Sequence, residues 1–204
     1  MRPNAAACIC LTPPTVEPVS LSEAKAHLRV DGTDEDVYIS ACITAARTRL
    51  EHETRRAFIR QEWQAEITGV ISCALPVELP RPRLIQGEPI TLEFRDTAGE
   101  WQQSSDLMVG KTREPALLWI TATPSTIAAP LSDQDAVWRV TYLAGYGETA
   151  ADVPGPLRSA IMLLTAHLFE RREAVVSGTI IAEVPKSIDW LVDPYRVPWE
   201  GGVR

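Results

Sequence analysis

What this 204-residue chain lacks narrows its chemistry first. It has no Gly-rich phosphate loop, no nucleophile elbow and no His-Glu-x-x-His helix, so the local scaffolds of phosphoryl transfer, serine hydrolysis and zinc proteolysis are missing. Gly145-x-Gly147 lacks a third glycine and no helix follows in register for a pyrophosphate, so it reads as a strand-ending turn. The four cysteines, Cys8, Cys10, Cys42 and Cys73, show no Cys-x-x-Cys spacing, which leaves reduced thiols rather than a zinc or redox motif. Basic charge is also short: 20 Lys and Arg against 27 Asp and Glu give a net charge of −7 and a pI near 5.1. Tight binding of duplex DNA is disfavoured on that balance. Arg55-Arg56 and Arg171-Arg172 are read as charges at helix C-termini, where the macrodipole favours cations. No run approaches the ~20 apolar residues of a membrane span. Prolines break the weakly apolar start, so no signal-peptide core is expected and residues 1–18 are read as a flexible arm.

What is present is an ordinary globular mixture, 45% hydrophobic and 23% charged, on a chain long enough to bury ~70% of its unfolded surface. Proline is the uneven component. None of the 16 lies from Val19 to Leu75 or from Leu157 to Val184, whereas seven fall between Pro76 and Pro130. Two helix-permitting blocks therefore flank a helix-hostile middle.

In the first block Ser20-Leu21-Ser22-Glu23 fits a capping box, with Val19 and Ala24 as a hydrophobic staple, and predicts a helix to about Leu28. Asp31-Gly32 breaks it. Thr33 is placed to cap a second helix, with Asp34, Glu35 and Asp36 in its first turn. Ile39, Ile43, Ala46 and Leu50 give that helix an apolar stripe, with Arg47, Arg49, Glu51 and Arg55 on wetter faces and an end near Arg56. From Phe58 the period becomes two: Ile59, Gln61, Trp63, Ala65 and Ile67 point one way, which predicts a half-buried strand. The proline-rich middle holds further short strands at 77–79, 89–95, 117–121 and 138–143, with a hairpin loop at 96–100. Asp152-Val153-Pro154-Gly155-Pro156 leads into a third helix carrying Leu157, Ile161, Leu164 and Leu168. Residues 175–184 read as a loop or short extended arm, and Ser187 as the cap of a brief last helix.

Three histidines, His27, His52 and His167, sit on three different predicted helices. His167 and Glu170 have a spacing that could share a metal, but a packed histidine or an exposed i,i+3 pair is the simpler reading. Asp34-Glu35-Asp36 lacks the alternation and glycine of a calcium loop and fits a helix start better. A soluble metal-binding or small-molecule enzyme domain using His167 stays as an alternative, as does a protein-binding module that forms no ring. In the tail, Tyr195 and Trp199 stand beside prolines outside any periodic segment. Such rings are costly to leave exposed and read equally as an anchor for another chain or as packing on the parent domain.

The ordered series carries a resemblance. Ser20-Leu21-Ser22-Glu23-Ala24-Lys25-Ala26-His27-Leu28-Arg29-Val30-Asp31, followed by Asp34-Glu35-Asp36, resembles the opening of the head-tail connector (adaptor) proteins of tailed bacteriophages and related gene transfer agents. Leu79-Pro80-Arg81-Pro82 resembles that family's strand-and-proline segment. Ala144-Gly145-Tyr146-Gly147, through Asp152-Val153-Pro154 to the helix ending at Arg172, resembles its most recognisable stretch. The arm with Cys8 and Cys10 does not match the family, and the stretch 103–135 reads as variable.

The expected fold is α+β: a helical core of about four helices with an inserted small antiparallel β unit and an extended C-terminal tail. Its divisions are an arm at 1–18, helical core at 19–57 and 149–186, β insertion at 58–148, and last helix and tail at 187–204. The resemblance implies a structural subunit of a dodecameric ring at the head-tail junction of a virion or phage-like particle. Its implied partners are the portal protein, a tail-side stopper or head-completion protein and other copies of itself, with DNA passing through unbound and no membrane. No catalytic residue, cofactor or metal is expected. Trp190, Leu191, Tyr195, Val197 and Trp199 are the residues expected to grip the portal, because buried aromatics dominate interface energies.

Overall fold

The computed structural model describes residues 4–68, 76–110, 114–121, 127, 136–171 and 186–197. Cys73, the segment 175–184 and Trp199 lie outside them. Contacts divide the chain into two compact units, one built from Thr15–Ile59 and Gly147–Arg196, the other from Met1–Pro14, Arg60–Tyr146 and Val197–Arg204. Four helices and antiparallel sheets make the fold α+β.

The helical unit opens with α1 (Leu21–Leu28), which starts as its sequence dictates. The Glu23 amide donates to Ser20 Oγ at 3.2 Å and the Ser20 amide donates to Glu23 Oε2 at 2.8 Å, so each residue satisfies an orphan group of the other. The Ser20 amide first, then the Ser20 hydroxyl and Arg158, hold the Glu23 carboxyl below its ordinary range. The helix stops at Arg29, in the left-handed region with φ 57°, whose amide reaches back to the carbonyls of Ala26 and Lys25.

The second helix, α2 (Asp36–Thr54), begins later than the sequence implies. Glu35 is its N-cap without a side-chain bond, Thr33 contributes only its carbonyl to the Asp36 amide, and of the acidic triad Asp36 alone lies in the first turn. Asp36 pairs with Lys25 of α1 at 2.6 Å.

Ile39, Ala46 and Leu50 are fully enclosed and Ile43 nearly so, as the stripe requires. Arg47 and Glu51, expected on wetter faces, are buried as well. Arg47 Nη1 donates to Glu51 Oε2 at 2.7 Å and its Nε to Glu17 Oε2 at 2.7 Å, while Glu51 Oε1 takes the Phe58 amide at 2.7 Å. Burial of these charges is tolerable because each is paired and hydrogen-bonded. Like α1, the helix ends on a left-handed arginine, Arg55 at φ 58°.

Helix α3 (Gly155–Glu170) follows Pro154 as N-cap, with Pro156 early enough that its missing amide costs nothing. Leu157, Ala160, Ile161, Leu164 and Thr165 are its buried face. It packs on α1, on α2 and on the short α4 (Lys186–Val192). Tyr38 of α2 donates to the Leu168 carbonyl at 3.3 Å and sets its ring 5.9 Å from Phe169. Before α3, Thr149 and Asp152 close a reciprocal cap around a 3-10 turn, Ala150–Asp152. Gly147 lies against it: a Cβ there would fall 2.5 Å from Asp152 Cγ, which only glycine avoids.

The β unit holds strands β1 (Asn4–Thr12), β2 (Gln61–Thr68), β3 (Val77–Glu78), β4 (Thr91–Arg95), β5 (Trp101–Ser104), β6 (Leu107–Gly110), β7 (Leu117–Ile120) and β8 (Ala136–Ala144). They form a five-stranded sheet in the order β1-β2-β8-β4-β5 and a three-stranded sheet in the order β3-β7-β6, every pair antiparallel. Gln61, Trp63, Ala65 and Ile67 point inward along β2, as the alternation predicts.

The predicted hairpin joins β4 to β5. Asp96 Oδ1 takes the amides of Ala98 and Glu100, and Oδ2 the Gln102 side chain, so one carboxylate ties the whole loop.

The N-terminal segment corrects the sequence expectation. Residues 4–12 of the supposed arm are a nine-residue strand, paired with β2 from Asn4 opposite Thr68 to Thr12 opposite Glu62. The arm was misread because Ala-Ala-Ala-Cys-Ile-Cys has no clear alternation, and its pairing partner lies about fifty residues away in sequence. Trp138 and Tyr142 of β8 are fully buried. At about 25 cal/mol per Å², the ~200 Å² of such a ring contributes about 5 kcal/mol of transfer free energy.

Candidate partner-binding surface

Helix α4 is short, and its sequence sorts it into two faces. Ile188 and Val192, four apart, are buried, while Trp190 falls on the other side and is 76% exposed, the second most exposed large apolar residue after Val37 among those described. Leu191 is half-buried at the boundary. Ser187, expected as the cap, lies inside the helix, which begins at Lys186.

A 3-10 turn, Asp193–Tyr195, carries the chain out of α4 onto Arg196. The Arg196 guanidinium is the fastening point. Its Nη2 donates to Glu53 at the end of α2 and to Asp189 Oδ1 at 2.9 Å, and Nη1 meets Asp193 Oδ1 at 2.7 Å. Desolvation works to lower its pKa, but Glu53, Asp193 and Asp189 outweigh it and hold the group above its ordinary value. Beside it, Arg56 Nε donates to the Tyr195 carbonyl at 2.6 Å. The last turn of α2 thus holds the start of the tail by two arginine contacts, leaving the Tyr195 ring half-buried.

Of the five expected docking residues, Trp190 and Leu191 lie on α4 and Tyr195 on the turn that follows it. Val197 is 8% exposed, against the expectation of an open docking residue. Trp199 lies outside the described residues. The fastening residues Glu53, Arg56 and Arg196 were not singled out from sequence. Asp193 and Arg196 have a visible i,i+3 spacing, but Glu53 is 143 residues from Arg196 and carries no local signal.

The chemistry sought at the histidines does not assemble among the described residues. His27 and His52 are exposed, His167 is half-buried on α3, and no group of three or more His, Cys, Asp and Glu is placed to hold a metal ion. Two open concavities lie along helices, one lined by Leu21, Lys25 and Arg29, the other by Ala41, Thr44, Ala45 and His52. Neither gathers a nucleophile, a base and an oxyanion donor. No helix among the described residues is long and apolar enough to cross a membrane.

Cys8 lies on β1. Burial pushes its thiol up to about 11, against the opposing pull of the Arg81 guanidinium and a hydrogen bond with Tyr142. Such a thiol is held protonated and is a poor nucleophile. Tyr142 is itself raised well above its ordinary range by burial, and its hydroxyl donates to the Pro80 carbonyl. The pair belongs to the packing of the sheet.

Comparison with known proteins bears on the whole chain. No curated protein matches the sequence. The backbone is similar to a chain in the neck of an empty gene transfer agent particle computed with C6 symmetry, at a TM-score of 0.73 and 18% identity, covering 96% of this chain and 98% of that one. It is also similar to a chain in the virion of a native gene transfer agent particle, at a TM-score of 0.67, 18% identity and the same coverage. A third likeness is to a chain in the neck of a native particle computed with C12 symmetry, at a TM-score of 0.64 and 18% identity, covering 95% and 98%. In sequence, residues 18–81, which hold α1, α2, β2 and β3, match the model of the phage gp6-like head-tail connector proteins.

Proposed function

We propose that this chain is a structural head-tail connector subunit, one of twelve in a ring at the head-tail junction of a phage or gene transfer agent particle. In this reading it joins the portal to a tail-side stopper or head-completion protein and leaves a channel for DNA. The observation that carries the proposal is that the fold likeness to neck chains spans nearly the full length of both partners. The connector-family match over residues 18–81 supports the same reading from sequence.

Trp190, flanked by Leu191 and Tyr195, is the portal-binding anchor in this reading. An exposed tryptophan on a helix whose opposite face is fixed by Ile188 and Val192 is preorganised to enter a partner's pocket at small entropic cost. The net charge of −7 suits a conduit, since a surface that repels phosphate lets a duplex slide.

The test is to mix the purified chain with the portal of its own particle and view the product by negative-stain microscopy. A discrete twelve-fold ring is expected. Persistent failure to associate would overturn the assignment. Trp190→Ala should weaken portal binding about 30-fold, the effect of losing a hot-spot tryptophan, without changing the melting temperature. Unchanged affinity would remove Trp190 from the interface.

A further inference from the structure

Both outer strands of the five-stranded sheet are edges among the described residues: β1 on one side and β5 on the other. An edge strand presents a row of backbone donors and acceptors that only another extended chain satisfies in register. Proteins that stay apart blunt such edges with lysine, proline, a short strand or a cover. The β1 edge lacks the charge and the proline, although its pairing with β2 shifts register between Ala5 and Ala7 and between Cys10 and Thr12. It is nine residues long, Asn4-Ala-Ala-Ala-Cys-Ile-Cys-Leu-Thr12, with no charged residue and no proline. Ile9 is 52% exposed and Leu11 44%.

We propose that the β1 edge is a subunit-joining surface, and that its occupant is strand β5 of a second copy of this chain. Three observations select that occupant. Because every neighbouring pair in β1-β2-β8-β4-β5 is antiparallel, β1 and β5 run in the same direction at opposite edges. A copy displaced by rotation alone can therefore lay β5 parallel to β1 and continue the sheet. That contact is head-to-tail, with each copy giving one edge and taking the other, and it closes when the rotations sum to a full turn.

The side chains also agree. Ile9 lies opposite Gln64, Gln64 opposite Thr141, and Thr141 opposite Thr91, so Ile9 shares a face with Thr91 and Arg95 of β4. Trp101 lies opposite Arg95 and is therefore on that face too. Its ring is held in place by Arg139, whose guanidinium sits 4.2 Å from the ring centroid and pairs with Glu93 at 2.9 Å. Joining the edges sets an exposed isoleucine beside a positioned tryptophan, and no like charges meet.

The inference rests on the ring proposed above, and the experiment separates the two. Hydrogen exchange is followed by mass spectrometry on peptides spanning 4–12 and 101–104, in the free chain and in the assembly with portal. Exchange of both segments should slow by ~10-fold or more on assembly, and Ile9→Lys should cut ring yield by a similar factor with an unchanged melting temperature. A ring that forms while β1 exchanges as fast as in the free chain overturns the inference alone. Slowing of β1 without slowing of β5 overturns it too, by identifying a different strand as occupant. Absence of any ring from the wild-type chain brings down the connector assignment itself and this inference with it.

Discussion

Cys8 couples a single proton to the stability of the fold. Its ordinary pKa of 9.0 rises to about 11 in the folded chain, so between those values the unfolded chain has released a proton that the folded one retains. Stability rises with pH where the unfolded state binds more protons, and here it binds fewer. The stability present below pH 9 is therefore lost as pH climbs from about 9 to about 11, by up to about 2 kcal/mol. Urea unfolding at pH 8 and pH 10.5 should show this drop, and Cys8→Ala should shrink it, leaving the part that comes from the raised Tyr142. Alkylation at pH 8 should leave Cys8 largely unmodified. Gly147 makes a purely steric prediction. Gly147→Ala would push into Asp152 and break its bonds to Thr149, lowering stability by about 1–3 kcal/mol as overpacking does; Asp152→Ala in the same background should recover part of that loss in a thermal melt. The Ser20–Glu23 cap was readable because all its partners lie within three residues. The enclosure of Cys8 was not, because Tyr142 and Arg81 are remote in sequence.

Helix α2 organises the helical unit through one ion-pair cluster. Arg47 holds Glu17 and Glu51, and Glu51 fixes the Phe58 amide, so a single side chain links the entry of the chain, the helix and its exit toward β2. Arg47→Ala would strip the buried Glu51 carboxylate of the Arg47 guanidinium and should cost about 3 kcal/mol in urea unfolding. Arg47→Lys should restore little of it, since an ammonium cannot reproduce two bonds from a planar fork.

Periodicity found α2, α3, β2, β4, β7 and β8. It failed where the pattern was overridden: Arg47 and Glu51 look like surface charges until Glu17 and Phe58 arrive from outside the helix. It also missed β1 and β6. β6 is only four residues long and β1 opens on a run of small side chains without clear alternation, so what makes each a strand is a neighbour rather than an alternation of its own.

At the scale of the whole molecule, the net charge of −7 predicts that the purified chain retains no duplex DNA at ~150 mM salt, where phosphate binding needs basic contacts; an electrophoretic shift assay should show free DNA unchanged. The likeness in fold to neck chains was foreshadowed by the order of the sequence segments, from the capped first helix to the proline-led third. The fastening of the tail was not, since Glu53 and Arg196 lie 143 residues apart. That fastening has a mechanical meaning. Arg196 meets Glu53, Asp189 and Asp193 at partly exposed positions, and pairs of this kind are individually weak and screened by salt. The base of Trp190 thus rests on an adjustable mount. Buried Ile188 and Val192 fix where α4 sits, while the charged clasp can slip and re-form, so small changes of angle at the tail need no unfolding of the helix.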